Sequence, residues 1–97
     1  MSYDMSIGSS SFNYTYNVSA MWYYCYEEKG IRIIYGLKGL EAAPKLANLI
    51  SCMINHRDSM LKEEPENGWG SYIGAIKFIS KLLLASLENP EEVWEGD

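Results

Sequence analysis

The segment "SYIGAIKFISKLLLASLENP", residues 71–90, contains the strongest helical signal in the chain. Ser71 is suited to cap the amino end of a helix, and Asn89-Pro90 is suited to end it. Between them the apolar side chains recur at helical spacing: one stripe is Tyr72, Ile76, Ile79 and Leu83, and it is widened by Ala75, Phe78, Leu82 and Leu87. The spacing predicts a helix over about 71–88 that is the central and most buried element of the fold.

A second helix is predicted over about 42–55. Its core stripe follows the i, i+3, i+4, i+7 pattern: Leu46, Leu49, Ile50 and Met53. Pro44 suits the first turn of this helix. The glycine-punctuated stretch before it, "GLKGLEA" at 36–42, predicts a loop. After it, "DSMLKEE" at 58–64 predicts a single further helical turn.

The first seventeen residues predict a β-hairpin. In "YDMSI" (3–7) and "FNYTYN" (12–17), aromatic and aliphatic residues alternate with polar ones, which is typical of half-buried strands. The intervening "GSSS" supplies turn residues. With three main helices following the hairpin, the expected fold class is α+β, in a single domain of 97 residues.

The segment "NVSAMWYYCYEEKG", residues 17–30, predicts a first helix over about 20–29, with Ser19 as its cap. Its apolar side chains surround the helix axis almost completely, so the helix must be buried on several sides or shared with a partner. Self-association through Trp22, Tyr23 and Tyr26 is one hypothesis. In the other, the tyrosine rings lie on the core and their hydroxyls reach water. "IRIIYG" at 31–36 predicts a short strand.

Composition limits the possible partners and compartment. The formal net charge is −5 and the eight basic residues are scattered, which argues against nucleic-acid binding. The first residues lack the pattern of a secretory signal, and no apolar run could span a bilayer, so we expect a cytoplasmic protein without membrane association. Cys25 and Cys52 are accordingly expected to be buried free thiols. The glycosylation sequons at Asn13 and Asn17 are interpreted as accidental.

The sequence contains no nucleophile elbow, Walker loop, dinucleotide fingerprint, HExxH motif or calcium loop, so we predict neither an enzyme nor a cofactor. The paired glutamates are adjacent in sequence and would not face each other on a helix. His56 is interpreted as a helix C-terminal group. The rival hypothesis is a small hydrolase or transferase that uses His56 with a cysteine or a carboxylate.

A set of amide, aromatic and basic residues remains as the candidate binding site: Asn13, Asn17, Arg32, Asn67, Trp69 and Tyr72. Aromatic faces combined with amides suit a planar or neutral ligand, or an interface hot spot. In "PENGWGSY" (65–72) we expect Gly68 to take a positive φ and Gly70 to let the backbone pass close to a neighbour. Whether Trp69 fills the core or lines a pocket stays open, and a purely structural role for the whole set is the alternative. Trp94 is expected to fold back onto the domain.

The elements "FNYTYNVSAMW", "PENGWGSY" and the late Asn-Pro together resemble a family of short, largely uncharacterised bacteriophage and prophage proteins. The resemblance rests on Asn17-Val18-Ser19 followed by Met21, and on Asn67 to Tyr72, and it covers nearly the whole chain. It implies a phage origin and a shared fold rather than a particular reaction. Our leading hypothesis is a non-enzymatic accessory protein, a homo-oligomer that binds a host protein or a small, nucleotide-like ligand in the host cytoplasm. Counter-defence is a role suggested by association alone, and a structural subunit of a phage assembly is a further alternative.

Overall fold

The computed structural model describes residues 2–68 and 70–97, and it confirms the α+β class with an amino-terminal antiparallel hairpin. Strand β1 (Ser2–Ile7) pairs with β2 (Ser10–Thr15) in a register that sets Tyr3 opposite Tyr14. A short strand β3 (Glu95–Gly96) pairs with the other edge of β1, so the sheet order is β2-β1-β3. The inward side chains of β1 are buried, as period-two alternation requires.

The helices are α1 (Ser19–Cys25), α2 (Gly39–Asn55), α3 (Arg57–Lys62) and α4 (Tyr72–Glu88). The prediction for α4 is confirmed to within a residue, and the Ser71 hydroxyl accepts a hydrogen bond from the Gly74 amide at 2.9 Å. The single turn predicted after α2 is α3. Short 3₁₀ helices cover Tyr16–Val18 and Gly30–Ile34. None of the helices in the described ranges is long and apolar enough to cross a membrane.

Helix α2 starts three residues earlier than predicted, because tertiary packing overrides the glycine signal. A Cβ at Gly39 would collide with the carbonyl oxygens of Ser86 and Asn89, so only glycine lets α2 begin against the end of α4. The Glu41 carboxylate accepts from the Lys38 amide at 2.9 Å and caps the first turn. The loop predicted over 36–42 is therefore wrong in its second half.

The prediction of a strand at 31–36 is wrong, and α1 is shorter than its predicted extent of 20–29. Gly30 has φ +57° and its amide donates to the Tyr26 carbonyl, which turns the chain out of α1. Ile31 and Ile34 are then both fully buried three residues apart. That spacing matches the three-residue turn of a 3₁₀ helix. The sequence predicts a strand because the run is rich in β-branched residues, and this composition does not distinguish a strand from a 3₁₀ helix.

The hydrophobic core lies between the sheet, α1 and the α2–α4 pair. Trp22 and Trp94 are its largest fully buried side chains, so the expectation that Trp94 folds back is confirmed. The buried face of α4 is rotated from the predicted one, and Leu87 is 58% exposed rather than buried. Ser86 takes an interior position instead, where it hydrogen-bonds the Trp94 indole.

The prediction of two buried free thiols is wrong, because Cys25 and Cys52 form a disulfide. Their Cα atoms are 6.2 Å apart, and the bond joins the end of α1 to the last turns of α2 across 27 residues. Both residues are half-buried. Each cysteine lies in a different predicted helix. Their pairing depends on how the two helices pack against each other, and the apolar pattern of a single helix gives no information on that packing.

Candidate functional site

A pocket of about 620 Å³ lies where the chain leaves β2, beside the loop that precedes α4. A volume of this size is in the range of small-molecule sites, about 300–1,000 Å³. Seven residues line it: Ser2, Asn13, Tyr14, Thr15, Asn17, Asn67 and Gly70. Three of the six predicted site residues, Asn13, Asn17 and Asn67, therefore meet at one place, although about fifty residues separate the first two from the third.

The hairpin register positions Asn13. It lies opposite Asp4, and its Nδ2 donates to the Ser2 hydroxyl at 2.9 Å and to the Tyr3 carbonyl at 3.2 Å. The Asp4 carboxylate also accepts from Nδ2. These contacts anchor the Asn13 amide group to the first three residues of β1.

Asn17 is positioned by the turn that follows β2. The Thr15 hydroxyl accepts from the Asn17 amide at 3.2 Å and caps the short 3₁₀ helix Tyr16–Val18. This bend directs the chain away from the sheet after Thr15, and the Asn17 side chain is exposed. The local hydrogen bond of a Thr-x-Asn turn thus presents an amide at the pocket rim.

The opposite wall depends on two glycines, as the sequence predicts. Gly68 has φ +78° and Gly70 has φ +100°, conformations that residues with a Cβ rarely adopt. A Cβ on Gly70 would come within 2.8 Å of Val18 and 2.9 Å of Thr15. Position 70 can therefore lie against the end of the hairpin only because it is glycine.

Among the described residues, the pocket lining contains amides, hydroxyls and one phenol, and no charged side chain. Amides donate and accept hydrogen bonds at once, which suits uncharged ligands that carry both kinds of group. The Tyr14 ring is stacked on Phe78 with centroids 5.0 Å apart, so it forms a fixed wall. Phosphate groups would find no cation among the lining residues.

Two other predicted site residues lie elsewhere. Tyr72 is buried, and its hydroxyl donates to the Met53 carbonyl at 2.9 Å, so it ties α4 to α2 and does not face a ligand. The Arg32 guanidinium lies over the Tyr3 ring, 4.7 Å from its centroid, and donates to the Tyr16 hydroxyl and the Asp97 carbonyl, both at 3.1 Å. Trp69 lies outside the described residues.

The residues predicted to mediate self-association belong largely to the core. Trp22 is fully buried within the single chain and packs edge-on to Tyr3 at 5.3 Å, so a contact with another molecule cannot use it. Tyr23 and Tyr26 are half-buried. The Tyr26 hydroxyl donates to the Lys45 carbonyl at 3.0 Å, and burial raises its pKa. Helix α1 thus buries Met21 and Trp22 in its own domain, while Tyr24 on the same helix is 50% exposed.

His56 lies exposed at the carboxyl end of α2, with Nδ1 3.4 Å from the Tyr24 hydroxyl. The cysteine partner in the enzyme hypothesis is absent while the disulfide is formed, because neither sulfur is then a thiolate. Over residues 2–68 and 70–97, no group of three or more His, Cys, Asp or Glu side chains is placed to hold a metal ion.

Ser2, Tyr14 and Thr15 line the pocket although they were not among the predicted site residues. A signal for Thr15 was present, since Asn13, Thr15 and Asn17 alternate along one face of the chain. Ser2 follows from the strand register, which sets it opposite Thr15. Tyr14 lies on the other face of β2, where its ring stacks on Phe78 of α4, and that contact is not visible in the sequence pattern.

No protein-family model, curated protein or solved structure matches the chain. The family resemblance noted in the sequence therefore stays a prediction, and a function has to be derived from the geometry of the pocket.

Proposed function

We propose that this chain is a binding protein whose pocket takes a small, uncharged ligand rich in hydrogen-bonding groups. One observation supports it above all: Asn13, Asn17 and Asn67 converge on a pocket whose described lining residues carry no charged side chain. Two tight turns and a close approach at Gly70 are needed to bring these amides together. Such side chains are the usual means of orienting a polar ligand.

Nucleobases, nucleosides and sugars are the ligand class that this chemistry favours. Each combines donors and acceptors that a carboxamide can match in pairs. A nucleotide would bind through its base or sugar, with its phosphates directed to solvent, because Arg32 is engaged with Tyr16 and Asp97. A host protein that inserts an amide or hydroxyl side chain into the pocket is the second possible partner.

The phage-derived accessory role is supported only by the resemblance of the Asn17 to Met21 and Asn67 to Tyr72 elements to that family. Counter-defence in the host cytoplasm is part of the same proposal. A reducing cytoplasm would open the Cys25–Cys52 disulfide, so action there requires a reduced protein that still folds. The Cys25→Ser/Cys52→Ser double variant should then retain the biological effect.

Binding is tested by isothermal titration of the purified chain against nucleosides and simple sugars, together with native mass spectrometry of protein isolated from infected cells. For the ligand that binds, Asn17→Ala and Asn67→Ala should each weaken affinity about 5- to 30-fold, as expected for the loss of roughly 1–2 kcal/mol per amide. Asn55→Ala, an exposed amide at the end of α2, is the matched control and should bind normally.

Absence of any retained ligand, or equal weakening by Asn55→Ala, would count against the pocket. The enzyme hypothesis has a separate test. If His56→Ala abolishes the biological effect while ligand affinity is unchanged, the chain is catalytic and the non-enzymatic proposal fails.

A further inference from the structure

The outer face of the α2–α4 pair, on the side away from the sheet, carries two apolar stripes at heptad spacing. On α2 the stripe is Leu40, Ala43, Ala47, Ile50 and Ile54. On α4 it is Ile73, Ile76, Ser80, Leu83 and Leu87. Both follow the 3,4,3,4 spacing that packs one helix against another. We call these ten residues the outer face.

The two helices are antiparallel, so the stripes run side by side. The amino end of α2 meets the carboxyl end of α4, where Gly39 contacts Ser86, and Tyr72 reaches Met53 at the other end. Leu40 therefore neighbours Leu87 at one end, and Ile54 neighbours Ile73 at the other. The opposite sides of both helices are covered, α2 by Tyr26 and Cys25 and α4 by Tyr14 and Trp22.

The large side chains at the ends of the outer face are open to solvent. Leu40 is 62% exposed, Ile54 57%, Ile73 56% and Leu87 58%, and the adjoining Leu84 is 59% exposed. A single exposed leucine needs no explanation, but five on one face of a chain this small form a patch of the kind that marks an interaction site. Ile50, Ile76 and Leu83 lie half-buried in the groove between them.

We infer that the outer face binds a second copy of this chain, which yields a four-helix layer with the two sheets on the outside. Two 17-residue helices are about 25 Å long and together about 20 Å wide, or roughly 500 Å² in projection. Two such faces give about 1,000 Å², the area at which specific interfaces begin. A two-fold axis makes the face self-complementary, since each heptad stripe meets a heptad stripe.

The chemistry at the middle of the outer face suits close approach. Ala47 and Ser80, the smallest pair, lie where the axis would pass. The Ser80 hydroxyl donates to the Ile76 carbonyl at 2.9 Å. Burial of this hydroxyl in an interface therefore leaves no hydrogen-bond donor without an acceptor. None of the ten residues is charged, and the lysines of α4, Lys77 and Lys81, lie outside the stripe. Interface centres are likewise depleted of charge.

The test is the mass of the full chain by analytical ultracentrifugation over a concentration series. The wild type should be a dimer, and Leu87→Glu or Ile54→Glu should raise its dissociation constant at least about tenfold. Tyr24→Glu is the matched control, because Tyr24 is 50% exposed but lies on α1. It should leave the dimer intact.

A second measurement keeps the inference testable if the glutamate variants misfold. Ser80→Cys should give a covalent dimer with a short bis-maleimide, since a residue at a two-fold axis meets its own copy, whereas Ser9→Cys in the exposed hairpin turn should not. A wild-type monomer at the highest soluble concentration overturns the inference and leaves the face to another partner. Equal crosslinking at Ser9, or a dimer that survives both glutamate variants, also overturns it.

Discussion

Two segments of this chain are fixed to the same core by different means. Residues 19–34, which comprise α1 and the 3₁₀ helix after it, are attached to α2 by the Cys25–Cys52 disulfide, and Trp22 is buried against Tyr3 and Phe78. Residues 90–97 are held against the core without a covalent crosslink. The Trp94 backbone exchanges hydrogen bonds with Gly36 and Leu37, both 2.9 Å, and its indole donates to Ser86 at 2.9 Å.

The two buried tryptophans show the same difference. Trp94 Nε1 is satisfied by Ser86, whose hydroxyl donates in turn to the Leu82 carbonyl. Trp22 Nε1 is buried and has no hydrogen-bond partner within residues 2–68 and 70–97. The carboxyl-terminal segment is thus held by a specific polar contact that is insensitive to redox conditions. The α1 segment is held by aromatic packing, by the hydrogen bond from the Tyr26 hydroxyl to the Lys45 carbonyl, and by a disulfide that a reductant can break.

Trp94→Ala should have the largest effect of the changes considered. Truncation of a fully buried tryptophan costs about 3–5 kcal/mol of unfolding free energy, and the polar contacts of the tail would be lost with it. Urea denaturation measures the loss. Hydrogen exchange should show faster exchange of the Gly36 amide, which donates to the Trp94 carbonyl. Val93→Ala, at a side chain 43% exposed, is the control and should change little.

Removal of the disulfide should come next. The Cys25→Ser/Cys52→Ser double variant frees a segment of 27 residues and should lose about 3–4 kcal/mol of unfolding free energy. Dithiothreitol added to the wild type should reproduce that loss and add nothing to the double variant. If reductant destabilises the double variant equally, the disulfide is not the source of the effect.

Ser86→Ala separates the polar contact of Trp94 from its packing. The indole donor stays buried without its acceptor, which costs about 1–3 kcal/mol. Ser51→Ala is the control, because this serine is exposed on α2 and is not one of the outer-face residues. A loss at Ser51 equal to that at Ser86 would contradict a specific role for the indole contact.

The smallest predicted effect concerns the pH dependence of the unfolding free energy. It depends on Tyr35, which follows the first segment and interacts with Asp97 of the second. Burial, then the Asp97 carboxylate, raises the pKa of Tyr35 from its ordinary 10.0 to about 12. The unfolded chain therefore releases this proton first as pH rises, so stability is complete below pH 10 and decreases towards pH 12. Tyr35→Phe should make this decrease in unfolding free energy smaller when it is measured by urea denaturation at each pH. Tyr24→Phe, at an exposed tyrosine, should leave the decrease unchanged.

Much of the candidate site was foreseeable from local chemistry. The two strands, the positive φ at Gly68 and the close approach at Gly70 follow from period-two alternation and from glycine's freedom of conformation. Asn13, Asn17 and Asn67 are predicted site residues because an amide side chain can both donate and accept hydrogen bonds. That they meet at one pocket, while Tyr72 and Arg32 lie elsewhere, depends on how the hairpin docks against the start of α4, and no local pattern encodes that docking.

By itself, the sequence determined what depends on neighbours along the chain: α4 with its Ser71 cap, the hairpin, and the core stripe of α2. Tertiary structure alone decided what depends on distant contacts. It paired Cys25 with Cys52, buried Trp22 where an interface was expected, and extended α2 through Gly39. The physical reason is that periodicity fixes which side chains share a face, whereas burial is decided by which other element covers that face.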